Sequence, residues 1–173
     1  MNNKRGIAQV FSPSSQDVDL RRATVFDVFE ISRVLICSIR ELCQIDHQDD
    51  PEKLNLWIAN KDPATIQDRI VSGAELWVAT KGAEVVAVGG LRDEGEVTLL
   101  YVDPDQSGCG FGSALLAGME EVLRGRGCAE AHLRATKTAL AFYHALGWRR
   151  DGVPTELHGI PQFPMRKSLH PSG

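Results

Sequence analysis

The feature of this sequence that most restricts its fold is a glycine-rich loop at residues 103–112, Asp-Pro-Asp-Gln-Ser-Gly-Cys-Gly-Phe-Gly. The loop follows a run rich in Val, Leu, Thr and Tyr (residues 96–102), which predicts a strand, and precedes an amphipathic stretch (residues 113–124), which predicts a helix. Glycine permits positive φ angles and close approach of a ligand to the backbone. The first amides of a helix lack intrahelical partners and lie at its positive end. The loop therefore predicts a site for a phosphate or pyrophosphate group.

Two familiar phosphate-binding motifs fit this loop less well. A P-loop requires lysine after its second glycine, and here Gly112 is followed by Ser113. A dinucleotide-binding motif requires G-x-G-x-x-G and an acidic residue about 20 positions later. Residues 108–113 and Glu130 nearly fit, but other strand candidates precede this loop. An NAD(P)-dependent oxidoreductase and a glycine turn without a ligand are therefore the less favoured alternatives.

The rest of the chain predicts one α/β domain. Residues 1–17 are polar and aperiodic, which predicts a flexible leader before a domain at residues 18–173. Apolar periodicity predicts strands at residues 19–23, 75–80, 84–91, 129–134 and 148–151, helices at 24–43, from 54, from 63 and at 136–146, and an edge strand at 161–169. Thr24 or Asp27 is the predicted cap of the first helix. Because hairpins come first and strand–helix–strand units later, we expect a mixed sheet.

Composition excludes several classes of protein. A net charge of −4 and a pI near 5.7 argue against binding to nucleic acid or to an anionic membrane. No apolar run approaches the roughly 18 residues of a membrane span, and no secretion signal is visible, so we expect a soluble cytoplasmic protein. Cys43 and His47 have a spacing that could place two metal ligands on one helical face, but a zinc site needs three or four, so we expect no metal.

Two separated motifs resemble the GCN5-related N-acetyltransferases (GNAT), which use acetyl-CoA. The resemblance rests on Tyr101-Val102-Asp103-Pro104 with the Gly110-x-Gly112 loop, and on Ala139-x-x-Phe142-Tyr143-x-x-x-Gly147-Trp148, and it covers residues 19–169. It implies a single domain with a mixed, mostly antiparallel sheet of about seven strands flanked by helices. It also implies that the fourth and fifth strands splay apart to admit the pantetheine arm of the co-substrate.

The resemblance also implies which residues bind acetyl-CoA. Backbone groups of Leu100 and Val102, with Tyr101 between them, would lie along the pantetheine arm. The pyrophosphate would be bound by the amides of Ser107, Gly108, Cys109, Gly110, Phe111, Gly112 and Ser113. Ser107 replaces the usual Gln or Arg of the family's loop, and Thr136 stands where the family often has Asn at the start of the next helix. Thr136 is included among the cofactor-binding residues.

Two further residues are implied in catalysis. Tyr143 resembles the family's general acid, because a tyrosine with a pKa near 10 stays protonated at neutral pH and can donate to the departing CoA sulfur. Glu96 opens the strand that leads into the loop, where several members of the family place a catalytic base. It could equally be a solvated carboxylate, with a water relay as the base.

The acceptor is expected to be a primary amine on a small molecule or peptide, acetylated by direct attack in a ternary complex. In the family, residues 40–71 would help to shape its pocket, and this segment contains Asp46, His47, Asp49, Asp50 and Trp57. Carboxylates beside an aromatic ring would suit a cationic amine, although the spacing of Trp57 favours a core position. The main alternative is a non-catalytic acyl-CoA-binding sensor. A monomer and a homodimer both remain open, because Pro161 and Pro164 limit pairing through the tail.

Overall fold

The computed structural model describes residues 18–170 and contains an eight-stranded sheet in the order β1-β2-β3-β4-β5-β8-β6, with β7 paired to β8. The strands are β1 (Val18–Arg22), β2 (Glu75–Lys81), β3 (Glu84–Arg92), β4 (Glu96–Val102), β5 (Glu130–Ala135), β6 (Arg149–Arg150), β7 (Thr155–Leu157) and β8 (Ile160–Ser168). Among these eight strands of residues 18–170, only β4 and β5 pair in parallel, and the other pairs are antiparallel. The predicted leader at residues 1–17 lies outside the described residues.

In the described part of the chain, six α-helices accompany the sheet: α1 (Val28–Leu42), α2 (Gln44–His47), α3 (Pro51–Ile58), α4 (Pro63–Val71), α5 (Phe111–Gly125) and α6 (Leu140–Ala145). The predicted cap of the first helix is a capping box, in which Thr24 accepts from the amide of Phe26 and Asp27 accepts from the amide of Thr24. A 3₁₀ turn at Val25–Asp27 then leads into α1. Within residues 18–170, no helix is both long and apolar enough to cross a bilayer.

The sheet separates two hydrophobic layers. Side chains of Leu76, Val78 and Val88 pack against α1 and α4 on one face. On the other face, neighbouring strand residues such as Ala79 and Ala87 pack against α5. The layers follow from the alternation of side chains along each strand, which gives a sheet covered on both faces.

The sheet opens at its parallel pair. The strands β4 and β5 are in register only at Glu96 and His132, near the start of β4. Beyond this point the two strands diverge towards their C-terminal ends. This divergence is the splay that the family resemblance implies, and it leaves one edge of β4 free within the sheet.

The predicted edge strand at residues 161–169 is wrong in its position, because β8 lies inside the sheet between β5 and β6. Pro164 is tolerated inside the sheet because of the side to which its backbone groups point. The Pro164 carbonyl accepts from the amide of Asp151 (2.9 Å), on the β6 side. A strand residue directs its N–H and C=O to the same side, so the donor that Pro164 lacks faces the two-residue β6 and no bond to β5 is lost.

The strand β7 was not predicted from the sequence, which indicated seven strands. It forms a hairpin with β8 in which Leu157 pairs with Ile160. The two residues between them, His158 and Gly159, have positive φ angles of 55° and 73°. This is the backbone of a two-residue hairpin turn, which a strand of three exposed residues does not reveal by its apolar pattern.

Candidate active site

A cavity of about 1060 Å³ lies at the splay and reaches both faces of the sheet. Successive residues of β4 line it on opposite faces: Leu99 and Tyr101 on the face of α1, and Leu100 and Val102 on the face of α5. We call these two parts the α1 side and the α5 side of the cavity. A molecule bound on one side can therefore meet a molecule bound on the other through the gap between β4 and β5.

The glycine loop forms one wall of the α5 side. Gly108 and Gly110 have positive φ angles of 77° and 85°, as a loop that turns directly into a helix requires. Gly110 is the N-cap residue of α5 and has no side chain that could accept from the helix amides. The first backbone hydrogen bond of the helix is donated by the Ala114 amide to the Gly110 carbonyl. The amides at 111–113 therefore have no intrahelical partner, and their residues line the cavity.

Two of the predicted pyrophosphate-binding amides are already used within the loop. The Ser107 amide donates to the Pro104 carbonyl (3.2 Å), and the Cys109 amide donates to the Gln106 carbonyl (3.3 Å). Cys109 is also absent from the cavity lining. The other five predicted residues, Gly108, Gly110, Phe111, Gly112 and Ser113, have no such backbone bond and line the cavity.

Gly112 has a different role from the other loop glycines. A Cβ atom at this position would lie 2.9 Å from Cγ2 of Val102 and 3.7 Å from Cζ of Phe142. The absence of a side chain thus brings the first turn of α5 close to β4 and α6. This contact places the free amides beside the open edge of β4.

The free edge of β4 presents the backbone groups predicted to face the pantetheine arm. The Asp103 amide donates to the Val86 carbonyl on β3 (2.9 Å). Because backbone groups alternate in direction along a strand, Tyr101 also pairs with β3, whereas Leu100 and Val102 direct their N–H and C=O groups into the splay. Tyr101 contributes its side chain to the α1 side of the cavity instead.

Tyr143 lies on α6 and lines the cavity although it is only 6% exposed. Its ring makes edge contacts with Phe142 and Trp148, at centroid distances of 5.1 and 5.9 Å. Burial, with a smaller effect of the nearby Tyr101, raises the pKa of the Tyr143 hydroxyl. The group is therefore protonated throughout the physiological pH range.

Glu96, the predicted base, lies at the closed end of the splay. Its carboxylate accepts from the Arg92 guanidinium at 2.6 Å, and Glu96 is not among the residues that line the cavity. The structure therefore does not bring Glu96 and Tyr143 to the same surface of the cavity.

Thr136 lines the cavity just after β5, and the residues that follow it are held by Asp46. Asp46, only 3% exposed, accepts from the Lys137 amide (2.8 Å), the Thr138 amide (3.4 Å) and the Thr138 hydroxyl. It fixes the segment that leads from Thr136 into α6. Sequence reasoning missed this role, because 91 positions separate Asp46 from Lys137 and no local pattern connects them.

The predicted cluster of acceptor-binding carboxylates does not form. Asp46 binds the segment before α6, and Asp50 caps α3 through the amides of Glu52 and Lys53. Buried His47 uses both ring nitrogens, with the Ile39 carbonyl and the Asp49 amide. None of the predicted acidic residues in this segment, nor His47, lines the cavity, so they do not contact a molecule bound there.

Trp57 is part of the core, as its spacing predicts, and it also lines the α1 side of the cavity. Its Nε1–H donates to the hydroxyl of Tyr101 at 3.2 Å. Burial raises the pKa of Tyr101, so this hydroxyl also stays neutral. Over residues 18–170, no three His, Cys, Asp or Glu side chains come together in a way that could hold a metal ion.

Comparison with known proteins identifies the family. Residues 45–169 match the model of the acetyltransferase (GNAT) domain. The chain belongs to the GNAT family, as its two motifs predict. It is 35% identical over 81 residues to a glucosamine 6-phosphate N-acetyltransferase of Trypanosoma brucei brucei. That match covers 47% of this chain and 52% of the relative, so the chain spans about half of that protein.

Solved structures share the fold. A GCN5-related N-acetyltransferase from Rhodopseudomonas palustris is 24% identical, with a TM-score of 0.77 over 87% of this chain and 94% of that one. PaiA N-acetyltransferase from Thermoplasma acidophilum, solved with coenzyme A, is 17% identical, with a TM-score of 0.72 over 88% and 99%. YncA from Salmonella typhimurium, solved with acetyl-CoA, is 18% identical, with a TM-score of 0.63 over 88% and 94%.

Proposed function

We propose that this protein is an acetyl-CoA-dependent N-acetyltransferase that acetylates a primary amine by direct attack in a ternary complex. The observation that carries the proposal is the cavity through the splay, which joins the free amides of the loop to the opposite face of the sheet and passes Tyr143. Family membership supports it, as do the names of the matched relative and the coenzyme A and acetyl-CoA complexes of two structural neighbours.

The α5 side fits acetyl-CoA. Free amides at the start of α5, with the positive end of the helix, suit a pyrophosphate. The open edge of β4 suits the amide groups of a pantetheine arm, which would pair with the backbone of Leu100 and Val102 as an added strand. Thr136 stands on the facing wall at the end of β5. In this arrangement the thioester would lie in the gap, with the amine on the α1 side.

Tyr143 is the proposed acid. The amine nitrogen bonds to the carbonyl carbon of the thioester and releases one N–H proton to water as the amide forms. The carbon–sulfur bond breaks, and the sulfur takes the proton of the Tyr143 hydroxyl. Because burial raises the pKa of Tyr143, the hydroxyl carries its proton at neutral pH and can donate it while the carbon–sulfur bond breaks. The Tyr143 oxygen regains a proton from solvent in the open cavity.

The attacking amine must first lose a proton. The ion pair with Arg92 and the position of Glu96 outside the cavity lining favour the second of the two predicted routes. We propose that water in the open cavity accepts this proton. Glu96 then serves to fix the end of β3 against the start of β4.

Calorimetric titration with acetyl-CoA tests the binding site, with NADH as the control. We expect one site per chain for acetyl-CoA and no binding of NADH. Binding of NADH alone would instead support the oxidoreductase alternative.

The Tyr143→Phe variant tests catalysis, because it removes only the hydroxyl. In assays of CoA release with a panel of amines, we expect kcat to fall by about 10²-fold or more while the Kd for acetyl-CoA stays within twofold. Wild-type turnover in the variant would refute the role of Tyr143. If the wild-type protein binds acetyl-CoA but none of the amines in the panel causes release of CoA, the protein is an acyl-CoA sensor instead.

A further inference from the structure

The charges around the cavity are divided between its two sides. The two carboxylates in its lining, Glu75 and Asp93, both lie close to Arg126, with which Glu75 forms two hydrogen bonds of 2.7 and 2.9 Å. On the α1 side, cations predominate. In the described part of the chain, Lys61 and Arg69 line the cavity there without any carboxylate in ion-pair distance.

Lys61 and Arg69 are held in place by the backbone around them. The Lys61 carbonyl accepts from the buried Ser32 hydroxyl of α1 at 2.6 Å, and its amide donates to the Ile58 carbonyl at the end of α3 (3.0 Å). Arg69 lies in the last turn of α4, which is capped by Asp62. Lys61 therefore lies at a fixed corner between α3 and α4, and Arg69 lies at the opposite end of α4.

The neighbouring charges destabilise each other. Burial, together with the charge of Arg69, lowers the pKa of Lys61 to about 8. The nearest side-chain partner of its ammonium is the neutral Asn60 oxygen, at 2.7 Å. Two adjacent cations without a counter-ion cost free energy, which a bound anion would offset.

A further cation lies on the same face of the sheet. The inward side chains of β5, Leu133 and Ala135, pack on the α5 side, so Arg134 between them faces the α1 side, where it also lines the cavity. A purely cationic acceptor would be repelled by this surface. An acceptor that carries an anionic group in addition to its amine would be attracted to it.

We propose that Lys61 and Arg69 form an oxyanion subsite, and that the acceptor is a small amine that also bears a phosphate or carboxylate group. This inference rests on the proposed function and deepens it, since it concerns the acceptor side of the same cavity. The guanidinium of Arg69 can present two parallel N–H donors to an oxyanion, and the Lys61 ammonium adds a point charge. The anion then fixes the molecule so that its amine extends towards the splay.

Calorimetry with pairs of amines tests the subsite. Glucosamine 6-phosphate and glucosamine differ only in the phosphate, and β-alanine and propylamine differ in a carboxylate. Each is titrated with CoA at saturation, so that the loop amides are occupied. We expect at least about tenfold tighter binding of the anionic member in one pair, and the pair that shows it identifies the anion.

Variants assign the preference to its residues. Lys61→Met and Arg69→Met should each weaken binding of the preferred anionic amine by about tenfold or more while binding of its neutral partner stays within twofold. Lys81→Met is the matched control, since Lys81 is exposed and absent from the cavity lining, and it should change neither. Equal binding within both pairs, or a preference that survives both substitutions, would overturn the subsite.

The two proposals fail in different ways. If wild-type protein acetylates neutral amines as efficiently as anionic ones, the transferase stands and the oxyanion subsite is wrong. If no amine supports CoA release, the transferase is wrong. Direct titration with inorganic phosphate, again with CoA at saturation so that the loop amides are occupied, then still measures the subsite through the loss of phosphate affinity in the Lys61 and Arg69 variants.

Discussion

Substitution of Asp46 should weaken the whole segment that leads into α6. In Asp46→Ala, the Lys137 amide and the Thr138 hydroxyl lose a charged acceptor that is itself 3% exposed. A hydrogen bond to a charged group contributes about 1.5–3 kcal/mol, and both donors are only partly buried, so we expect the free energy of unfolding to fall by about 3 kcal/mol. For a domain of this size, that corresponds to a fall in Tm of about 6–12 °C.

The same variant should bind acetyl-CoA more weakly, because Thr136 precedes the released segment. Urea unfolding and calorimetry measure the two effects. Asp46→Asn keeps one acceptor oxygen, so its loss should be smaller, about 1 kcal/mol. Asp49→Asn is the control, since Asp49 is exposed and asparagine tolerates its positive φ of 55°. If Asp46→Ala stays within about 0.5 kcal/mol of wild type, Asp46 does not anchor the segment as we argue.

Three further predictions concern the loop, the first helix and the base. Gly112→Ala places a Cβ atom 2.9 Å from Val102, so we expect the free energy of unfolding in urea to fall by about 1–3 kcal/mol and acetyl-CoA binding to weaken. Gly125→Ala is the control, since open space surrounds Gly125, and it should be neutral or stabilising. The hydrogen bond from Arg21 lowers the pKa of the Asp27 carboxyl group in the folded protein. The Asp27 carboxylate therefore stabilises the fold above its unfolded pKa of 3.8, and this stabilisation is lost as pH falls through the lower folded pKa. Below pH 4, Tm should fall less steeply in Asp27→Asn than in wild type. Glu96→Gln should keep kcat/KM within about threefold if water is the base, and a fall of 10²-fold or more would identify Glu96 as the base.

Local signals in the sequence were sufficient for the parts of the fold that local interactions determine. The capping residues Thr24 and Asp27 mark the start of the first helix, and the alternating glycines mark the turn into α5. The predicted fold class is confirmed. The splay is also present between β4 and β5, but only the family resemblance implied it, because the two strands are distant in the chain.

Features that depend on distant contacts were mispredicted or missed. Pro164 indicates an edge strand when the chain is considered alone, and only the shortness of β6 makes an interior position acceptable. Asp46 was interpreted as a residue of the acceptor pocket, yet its partners lie at the start of α6. The sign of charge on the α1 side was also reversed, since the acidic residues of the segment point elsewhere while Lys61 and Arg69 line the cavity.

The single point of register between β4 and β5 has a consequence for amide exchange with deuterium. Leu99 and Tyr101 donate towards β3, whereas Leu100 and Val102 face the splay, so slow and fast exchange should alternate along one strand. In the free protein, rapidly exchanging strand amides then lie in the middle of the sheet as well as at its rim. A molecule that pairs with β4 slows only the alternate residues, and this two-residue periodicity distinguishes an added strand from a general tightening of the fold.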